Sequence, residues 1–99
     1  MALFRLSNLA ESDLLGIASY TLNTWGLHQT DLYLGELHAR LQRLADFPGI
    51  GRPCDEIRPG LRRAEHAKHV IFFRLDPEGI FVSRILHERM LPQRHAGFD

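Results

Sequence analysis

The chain has 99 residues, of which 44% are hydrophobic and 24% charged, and its formal net charge at pH 7 is zero. This balance is typical of a folded globular protein and argues against a disordered chain. No apolar run approaches the ~18–20 residues of a membrane-spanning helix, and the length fits one domain over residues 1–99.

Charge is divided unevenly along the chain. Residues 1–50 contain three basic and five acidic residues, whereas residues 51–99 contain nine and seven. Eleven of the twelve basic residues are arginine, whose planar fork suits phosphate or carboxylate. A basic surface that binds an anion is one interpretation, and a G- and C-rich genome that favours arginine codons is the other.

The N-terminal stretch predicts a short strand followed by a helix. Residues 2–7, ALFRLS, are short and mixed, as in a strand. Ser7 or Asn8 can then cap a helix, and Asn8 and Glu11 have capping-box spacing. Apolar residues recur at helical intervals from there, and Gly26 provides the stop.

A second helix is predicted to begin near His28 and to end at Pro48 and Gly49. Its apolar face is a leucine stripe at helical spacing, formed by Leu34, Leu37, Leu41 and Leu44. The stripe spans fewer than two heptads, so it indicates core packing rather than a coiled coil. The connection between the two helices is tight, which predicts an antiparallel hairpin.

Three strands are predicted in the second half, over residues 61–66, 69–76 and 80–87. Ala67 and Lys68 form a two-residue turn between the first two, and DPEG at 76–79 turns into the third. The stretch GRPCDEIRPGLRR at 51–63 is interpreted as the connector into this sheet, and the tail after His87 is expected to end loosely.

The element order is therefore β-α-α-β-β-β, which predicts an α+β fold with a helix hairpin packed on a mostly antiparallel sheet. The second face of the sheet has no helices to cover it, so it is expected to be solvated or to bind a partner. Strict alternation places Arg84 and Leu86 on the same face as Ile80 and Val82. It sends Arg62 and Arg63 to opposite faces.

Basic side chains lie on or beside the three predicted strands, and they are the candidate residues for binding a partner or target. The set comprises Arg58, Arg62, Arg63, His66, Arg74, Arg84, His87 and Arg89. Neighbouring strands would bring them together in one basic patch. The alternative for each is an ordinary solvated strand residue.

Other chemistries fit the sequence poorly. Cys54 is the only cysteine and has no recognisable nucleophile motif around it. The histidine spacings make no zinc site, there is no phosphate-binding glycine loop, and neither a metal nor a cofactor is expected. A lone cysteine and the lack of a signal-peptide pattern favour a cytoplasmic location.

Several stretches occur in an order and spacing that resemble a known family. They are LSNLAESDLLGIASYTLNTWG, RLADFPGIGRP, IRPGLRR, HVIFFRLD and GIFVSRILHERMLPQRH. Together they resemble ParE toxins of the RelE/ParE superfamily, the toxic halves of bacterial type II toxin–antitoxin modules. The resemblance spans nearly the whole chain.

The resemblance implies a RelE-like α+β fold and a ParD-like antitoxin that binds the toxin in a hetero-oligomeric complex. ParE toxins with an assigned target mostly poison DNA gyrase, and such a poison needs no chemistry of its own. The antitoxin is expected to use the basic strand surface and apolar grooves beside the helix hairpin.

The RelE branch implies an alternative, a ribosome-dependent endoribonuclease that cuts messenger RNA. In this chain His87 would be the base or acid, with Arg63, Arg84 and Arg89 as charge stabilisers. The sequence offers no obvious second proton-transfer group, which favours the ParE branch and a non-enzymatic toxin. A degenerate toxin that only binds its antitoxin is a third possibility.

Overall fold

The computed structural model describes residues 2–89. Its strands and helices are β1 (Leu3–Leu6), α1 (Asn8–Trp25), α2 (Leu27–Asp46), β2 (Arg52–Pro53), β3 (Arg62–His66), β4 (His69–Asp76) and β5 (Gly79–His87), with a 3-10 turn at Pro48–Ile50. The predicted α+β fold is confirmed, and two-residue β2 is an addition to the predicted order. Of the predicted loose tail, only Glu88 and Arg89, which form a turn, belong to the described residues.

The two helices pack against a five-stranded sheet with the order β1-β5-β4-β3-β2. Strand β1 runs parallel to β5, and the other three pairs are antiparallel. The sheet is therefore mixed, with the mostly antiparallel character that was predicted. Neither helix in the described part of the chain combines the length and apolar character that a membrane span requires.

Ser7 begins α1 and also fixes it to the sheet. The Ser7 hydroxyl accepts a hydrogen bond from the Ala10 N–H at 3.0 Å and donates one to the Ser83 carbonyl at 2.7 Å. The predicted capping box of Asn8 and Glu11 is wrong, because Asn8 is already the first helical residue and the cap is Ser7.

A single residue, Gly26, joins the helices. Its φ of 88° lies in the region that favours glycine, its N–H donates to the Leu22 carbonyl and its own carbonyl accepts from the Thr30 N–H. Helix α2 therefore begins directly at Leu27, and the predicted antiparallel hairpin is confirmed.

The main core lies between the hairpin and the sheet. The predicted leucine stripe of α2 is buried there at Leu37, Leu41 and Leu44, with Leu34 at its edge. The sheet contributes Ile71, Phe73, Ile80, Val82 and Ile85. Each buried aliphatic or aromatic side chain of this kind stabilises the fold by about 1.5–3 kcal/mol.

A β-bulge in β5 changes the predicted alternation. Phe73 pairs with Val82 but Phe72 pairs with Arg84, so Ser83 is the extra residue. After the bulge Ile85 joins the helix-side core, whereas Arg84 and Leu86 lie on the outer face of the sheet. The prediction that Arg84 shares a face with Val82 is wrong for this reason.

The outer face of the sheet is covered in part by the loop that follows β2. The second apolar cluster is formed by Cys54, Leu61, Val70, Phe72 and Leu86, with Ile57 packed against it. The loop closes on itself, because the Cys54 N–H donates to the Leu61 carbonyl and the Asp55 carboxylate accepts from the Gly60 N–H. The expectation of a solvated second face is wrong over this area, where the predicted connector supplies part of the core.

Candidate partner-binding surfaces

An apolar groove of about 330 Å³ lies between the helix hairpin and β1. It is lined by Phe4, Leu6, Leu14, Leu15, Ala18, Leu34, Leu37, His38 and Leu41. Eight of these nine residues are apolar, and Leu15 at the rim is 71% exposed. A groove of this composition suits the apolar side chains of a partner segment laid along the helices.

The turn of the hairpin exposes further large apolar side chains. Leu22, Trp25 and Leu27 surround Gly26 and are 47%, 68% and 66% exposed. Singly exposed leucines are ordinary, but three adjacent large side chains form a patch of the kind found at interaction sites.

On the outer face of the sheet, the ring of Phe81 lies beneath two guanidinium groups. The Arg74 guanidinium is 4.4 Å from the ring centroid and that of Arg5 is 5.3 Å away. Arg5 also pairs with Asp76. The N–H donated by Glu78 and the Arg5 guanidinium both lower the pKa of Asp76. Arg74 is therefore an exposed cation held over an aromatic ring, at a site that a partner can reach.

Arg63 lies on the same outer face, but its guanidinium is paired with the Glu65 carboxylate. The Glu65 carboxylate accepts from Arg63 at 3.2 Å and from Arg52 at 3.0 Å. Partial burial opposes ionisation, yet the two guanidiniums keep the pKa of Glu65 below its ordinary value. Arg63 also lies over the Phe72 ring, with 5.7 Å to the centroid. The local net charge at this point is +1 rather than the +2 expected from two arginines.

Arg84 belongs to the fold rather than to an exposed surface. Its guanidinium is buried and makes two hydrogen bonds to Asp13 of α1, from Nε at 2.8 Å and from Nη2 at 2.9 Å. The same carboxylate accepts the Ile85 N–H at 2.9 Å. β1 pairs with β5 only as far as Val82, and beyond that point the Asp13 carboxylate accepts the hydrogen bond of the Ile85 N–H.

Arg62 and Arg58 also differ from the predicted arrangement. Arg62 lies on the helix side of β3 and donates to the Gly51 carbonyl, which holds the chain entering β2. The predicted opposite orientation of Arg62 and Arg63 is confirmed. Arg58 is exposed in the loop after β2, away from the strands, and its carbonyl accepts the Leu61 N–H.

Three histidines gather on the helix side at one end of the sheet. The strand register pairs His66 with His69 and His69 with His87. Tyr33 of α2 closes the group, with its hydroxyl 2.6 Å from Nδ1 of His69. Nδ1 of His87 accepts the backbone N–H of Arg89, whose own side chain is on an exposed turn.

The eight candidate residues therefore do not form one basic patch, and that prediction is wrong. Arg63 and Arg74 are on the outer face, His66 and His87 on the helix side, and Arg84 is paired with Asp13. The four residues proposed for RNA cleavage are likewise divided, because His87 lies on the opposite face from Arg63. Their assignment to partner or target binding stays a prediction.

Sequence reasoning expected apolar grooves beside the hairpin but did not identify the residues that line them, and it missed the roles of Asp13 and Tyr33. Leu14 and Ala18 were recognisable as apolar helix positions, but their partial exposure depends on how β1 spaces the two helices. In the sequence Asp13 has no feature that distinguishes it from other acids on helices, and its pairing with Arg84 depends on the bulge in β5. Tyr33 had a signal in its position beside the leucine stripe, although nothing in the sequence identified its histidine partner.

The chain is a small α+β protein. A helix hairpin packs on one face of a mixed five-stranded sheet, and an apolar groove lies between the hairpin and β1. The family model for the ParE toxin of the type II toxin–antitoxin system parDE matches residues 4–92. The chain belongs to this family.

Relatives named as toxins cover most of the chain. Toxin ParE1 of Mycobacterium tuberculosis is 44% identical over 88 residues, which are 88% of this chain and 90% of the relative. Toxin ParE1 of Caulobacter vibrioides is 36% identical over 94 residues, covering 95% and 97%. Toxin ParE of Escherichia coli is 37% identical over 91 residues, covering 91% and 88%.

The fold also has a solved counterpart. A structure titled as the chromosomal ParDE TA system from P. aeruginosa matches with a TM-score of 0.72 over 88% of this chain and 96% of the other, at 19% identity. At that identity the match concerns the fold. The resemblance to ParE toxins noted from the sequence is confirmed.

Proposed function

We propose that this ParE toxin is neutralised by a ParD-like antitoxin and acts by poisoning DNA gyrase, with no catalysis of its own. The observation that carries the proposal is the combination of an open apolar groove with a scattered set of basic residues. Binding surfaces are present in the described residues, whereas the candidate groups for acid–base chemistry are divided between two faces.

The groove is the proposed seat of the antitoxin. Its lining from α1, α2 and β1 is almost wholly apolar, and apolar anchors in such grooves dominate binding energy. Exposed cations such as Arg74 would add steering of an acidic antitoxin segment at low salt rather than most of the affinity.

A variant pair tests this seat. Leu15→Glu places a charge at the groove rim, whereas Leu32→Glu places one at a 49% exposed position of α2 that does not line the groove. Each toxin variant is produced together with the product of the neighbouring gene and affinity is measured by titration. We expect Leu15→Glu to weaken binding at least tenfold, about 1.4 kcal/mol, and Leu32→Glu to leave it near the original value. Equal effects of both variants would place the contact elsewhere.

No acid–base pair is assembled among residues 2–89, and this favours a non-enzymatic toxin. In-line cleavage of RNA needs a base, an acid and cations around one phosphate. His87 has its Nδ1 engaged by the Arg89 N–H, Arg84 is bound to Asp13, and Arg63 is on the far side of the sheet. The ribonuclease alternative would require these groups to converge.

The gyrase target is tested with purified components. Toxin, gyrase, ATP and plasmid are incubated, and cleaved complexes are trapped with detergent and protease. We expect cleaved plasmid to accumulate with the toxin and to disappear when the antitoxin is added first. Undiminished supercoiling without cleaved plasmid would reject gyrase as the target. Codon-specific cuts in messages that vanish with His87→Ala would instead support the ribonuclease.

A further inference from the structure

The cluster formed by Tyr33, His66, His69 and His87 lies outside the groove proposed as the antitoxin seat. His69 is at its centre. The Tyr33 ring centroid is 5.8 Å from that of His69 and 5.5 Å from that of His66, and the His87 ring meets His69 edge-on at 5.6 Å. All four side chains lie between α2 and the open end of the sheet, beyond the last layer of the apolar core.

Two imidazoles of the cluster are hydrogen-bonded through Nδ1. Burial and the nearby Glu36 raise the pKa of Tyr33, and its hydroxyl is hydrogen-bonded to Nδ1 of His69 at 2.6 Å. Nδ1 of His87 accepts the Arg89 N–H at 3.1 Å. Nδ1 of His87 therefore acts as an acceptor, and the Tyr33 hydroxyl can donate to Nδ1 of His69 or accept from it.

Charged groups from each surrounding element act on the cluster. Helix α2 contributes Glu36, which favours a charged His66, and Arg40, which disfavours it. The end of β5 contributes Glu88, whose charge favours a protonated His69. The turn residue Lys68 and the exposed Arg89 add positive charge at the same end of the sheet. Glu36 and Glu88 do not offset the effect of burial and of the neighbouring cations, so the pKa values of His66 and His69 remain lowered.

We propose that these four residues form a proton-sensitive latch that holds the first half of α2 on the sheet at neutral pH and releases it when the histidines become charged. His66 and His69, whose ring centroids lie 5.5 and 5.8 Å from that of Tyr33, repel each other when both are charged. Tyr33 in the first half of α2 is hydrogen-bonded to His69, whereas Arg40 in the second half donates to the Glu65 carbonyl, so the first half is the part that loosens.

The sign of the effect follows from the cluster. Burial lowers the pKa of His66, and burial with the neighbouring His87 and His66 lowers that of His69. The released state thus binds protons more readily than the latched state. The latch is fully closed above the ordinary histidine pKa of about 6.5 and opens as the pH falls below it.

The latch also reaches the groove through the same helix. Tyr33 is followed by Leu34, Leu37 and His38, all of which line the groove on the other side of α2. A change in how α2 is held at Tyr33 therefore changes the width of the groove. This consequence concerns the groove's shape and does not depend on which partner occupies it.

Amide hydrogen exchange on the purified full chain tests the latch. Protection factors, corrected for intrinsic exchange, are measured for α1 and α2 at about pH 7.5 and pH 5.5. We expect protection in the first half of α2 to fall severalfold at the lower pH, because the histidines there become charged, with a smaller change in α1. An unchanged α2, or an equal loss in both helices, would overturn the proposal.

Variants tie the effect to the cluster. His69→Gln keeps a hydrogen-bond acceptor for Tyr33 without a titrating ring, so most of the pH-dependent loss in α2 should disappear. His38→Gln, on the same helix but outside the cluster, should retain the whole loss. If His69→Gln does not fold, His66→Gln serves in its place and should reduce the loss in part. A loss that persists in the cluster variants and matches that of His38→Gln would refute the latch.

Discussion

The ion pair between Asp13 and Arg84 gives the sharpest stability prediction. Asp13→Ala removes a carboxylate that accepts three hydrogen bonds, two from the Arg84 guanidinium and one from the Ile85 N–H. The side chains of Arg84 and Asp13 are only 11% and 13% exposed, so water cannot replace the lost partner easily. Losing a hydrogen bond to a charged group costs about 1.5–3 kcal/mol.

That cost is a large part of the stability of a domain this size, which is typically about 5–15 kcal/mol. We therefore expect the midpoint of urea unfolding, followed by far-UV circular dichroism, to fall steeply in Asp13→Ala. The melting temperature should fall by roughly 6 °C or more, since 1 kcal/mol corresponds to about 4–8 °C in a domain of up to 100 residues.

Two further variants separate the ion pair from general damage to α1. Glu11→Ala removes an exposed acid from the same helix and should cost less than about 1 kcal/mol. Asp13→Leu combined with Arg84→Met replaces the pair by apolar groups and should recover much of the loss, because burying an ion pair gains little net stability. A cost below about 1 kcal/mol for Asp13→Ala would refute this account of how β5 is bound to α1.

Three more predictions concern single positions. Gly79→Ala would put a Cβ 1.9 Å from the Leu3 carbonyl oxygen at a φ of 154°, so it should displace β1 and cost at least about 2 kcal/mol in urea unfolding; a neutral effect would contradict the close approach of β1. Ala67 has a φ of 51°, so Ala67→Gly should raise the unfolding free energy by up to about 1 kcal/mol, and a loss would contradict a strained turn. Burial raises the pKa of the Cys54 thiol, so it should react with a disulfide reagent far more slowly in the native protein than in urea; equal rates would contradict its buried place beneath the loop.

Much of the fold was predictable because its signals are local. The leucine stripe of α2, the stop at Gly26 and the apolar run of β4 each follow from spacing or composition within one element. The two-residue turn at Ala67 was also found, even though alanine is an unusual residue at a positive φ.

The features that were missed depend on contacts between distant elements. The bulge at Ser83 is not encoded by alternation, yet it reverses the faces of every later residue in β5. The loop after β2 looked like a connector because glycine and proline punctuate it. Its Cys54, Ile57 and Leu61 cover the outer face only once β2 pairs with β3.

The candidate site was harder to predict than the fold. Counting charged residues shows that arginines are concentrated in the second half, but it does not show which carboxylates form ion pairs with them. Arg84 is paired with Asp13, 71 residues away in sequence, and Arg63 shares Glu65 with Arg52. The pairings, rather than the number of arginines, decide which cations remain available to a partner.

The most direct test of the central claim is induced expression of the chain in bacteria, with and without the neighbouring gene. We expect growth arrest with filamentation and a DNA damage response, all abolished by co-expression of the neighbouring gene and unchanged by His87→Ala. Normal growth without the neighbouring gene would identify a degenerate toxin. Arrest with cut messages and no DNA damage response would contradict the proposed action on gyrase.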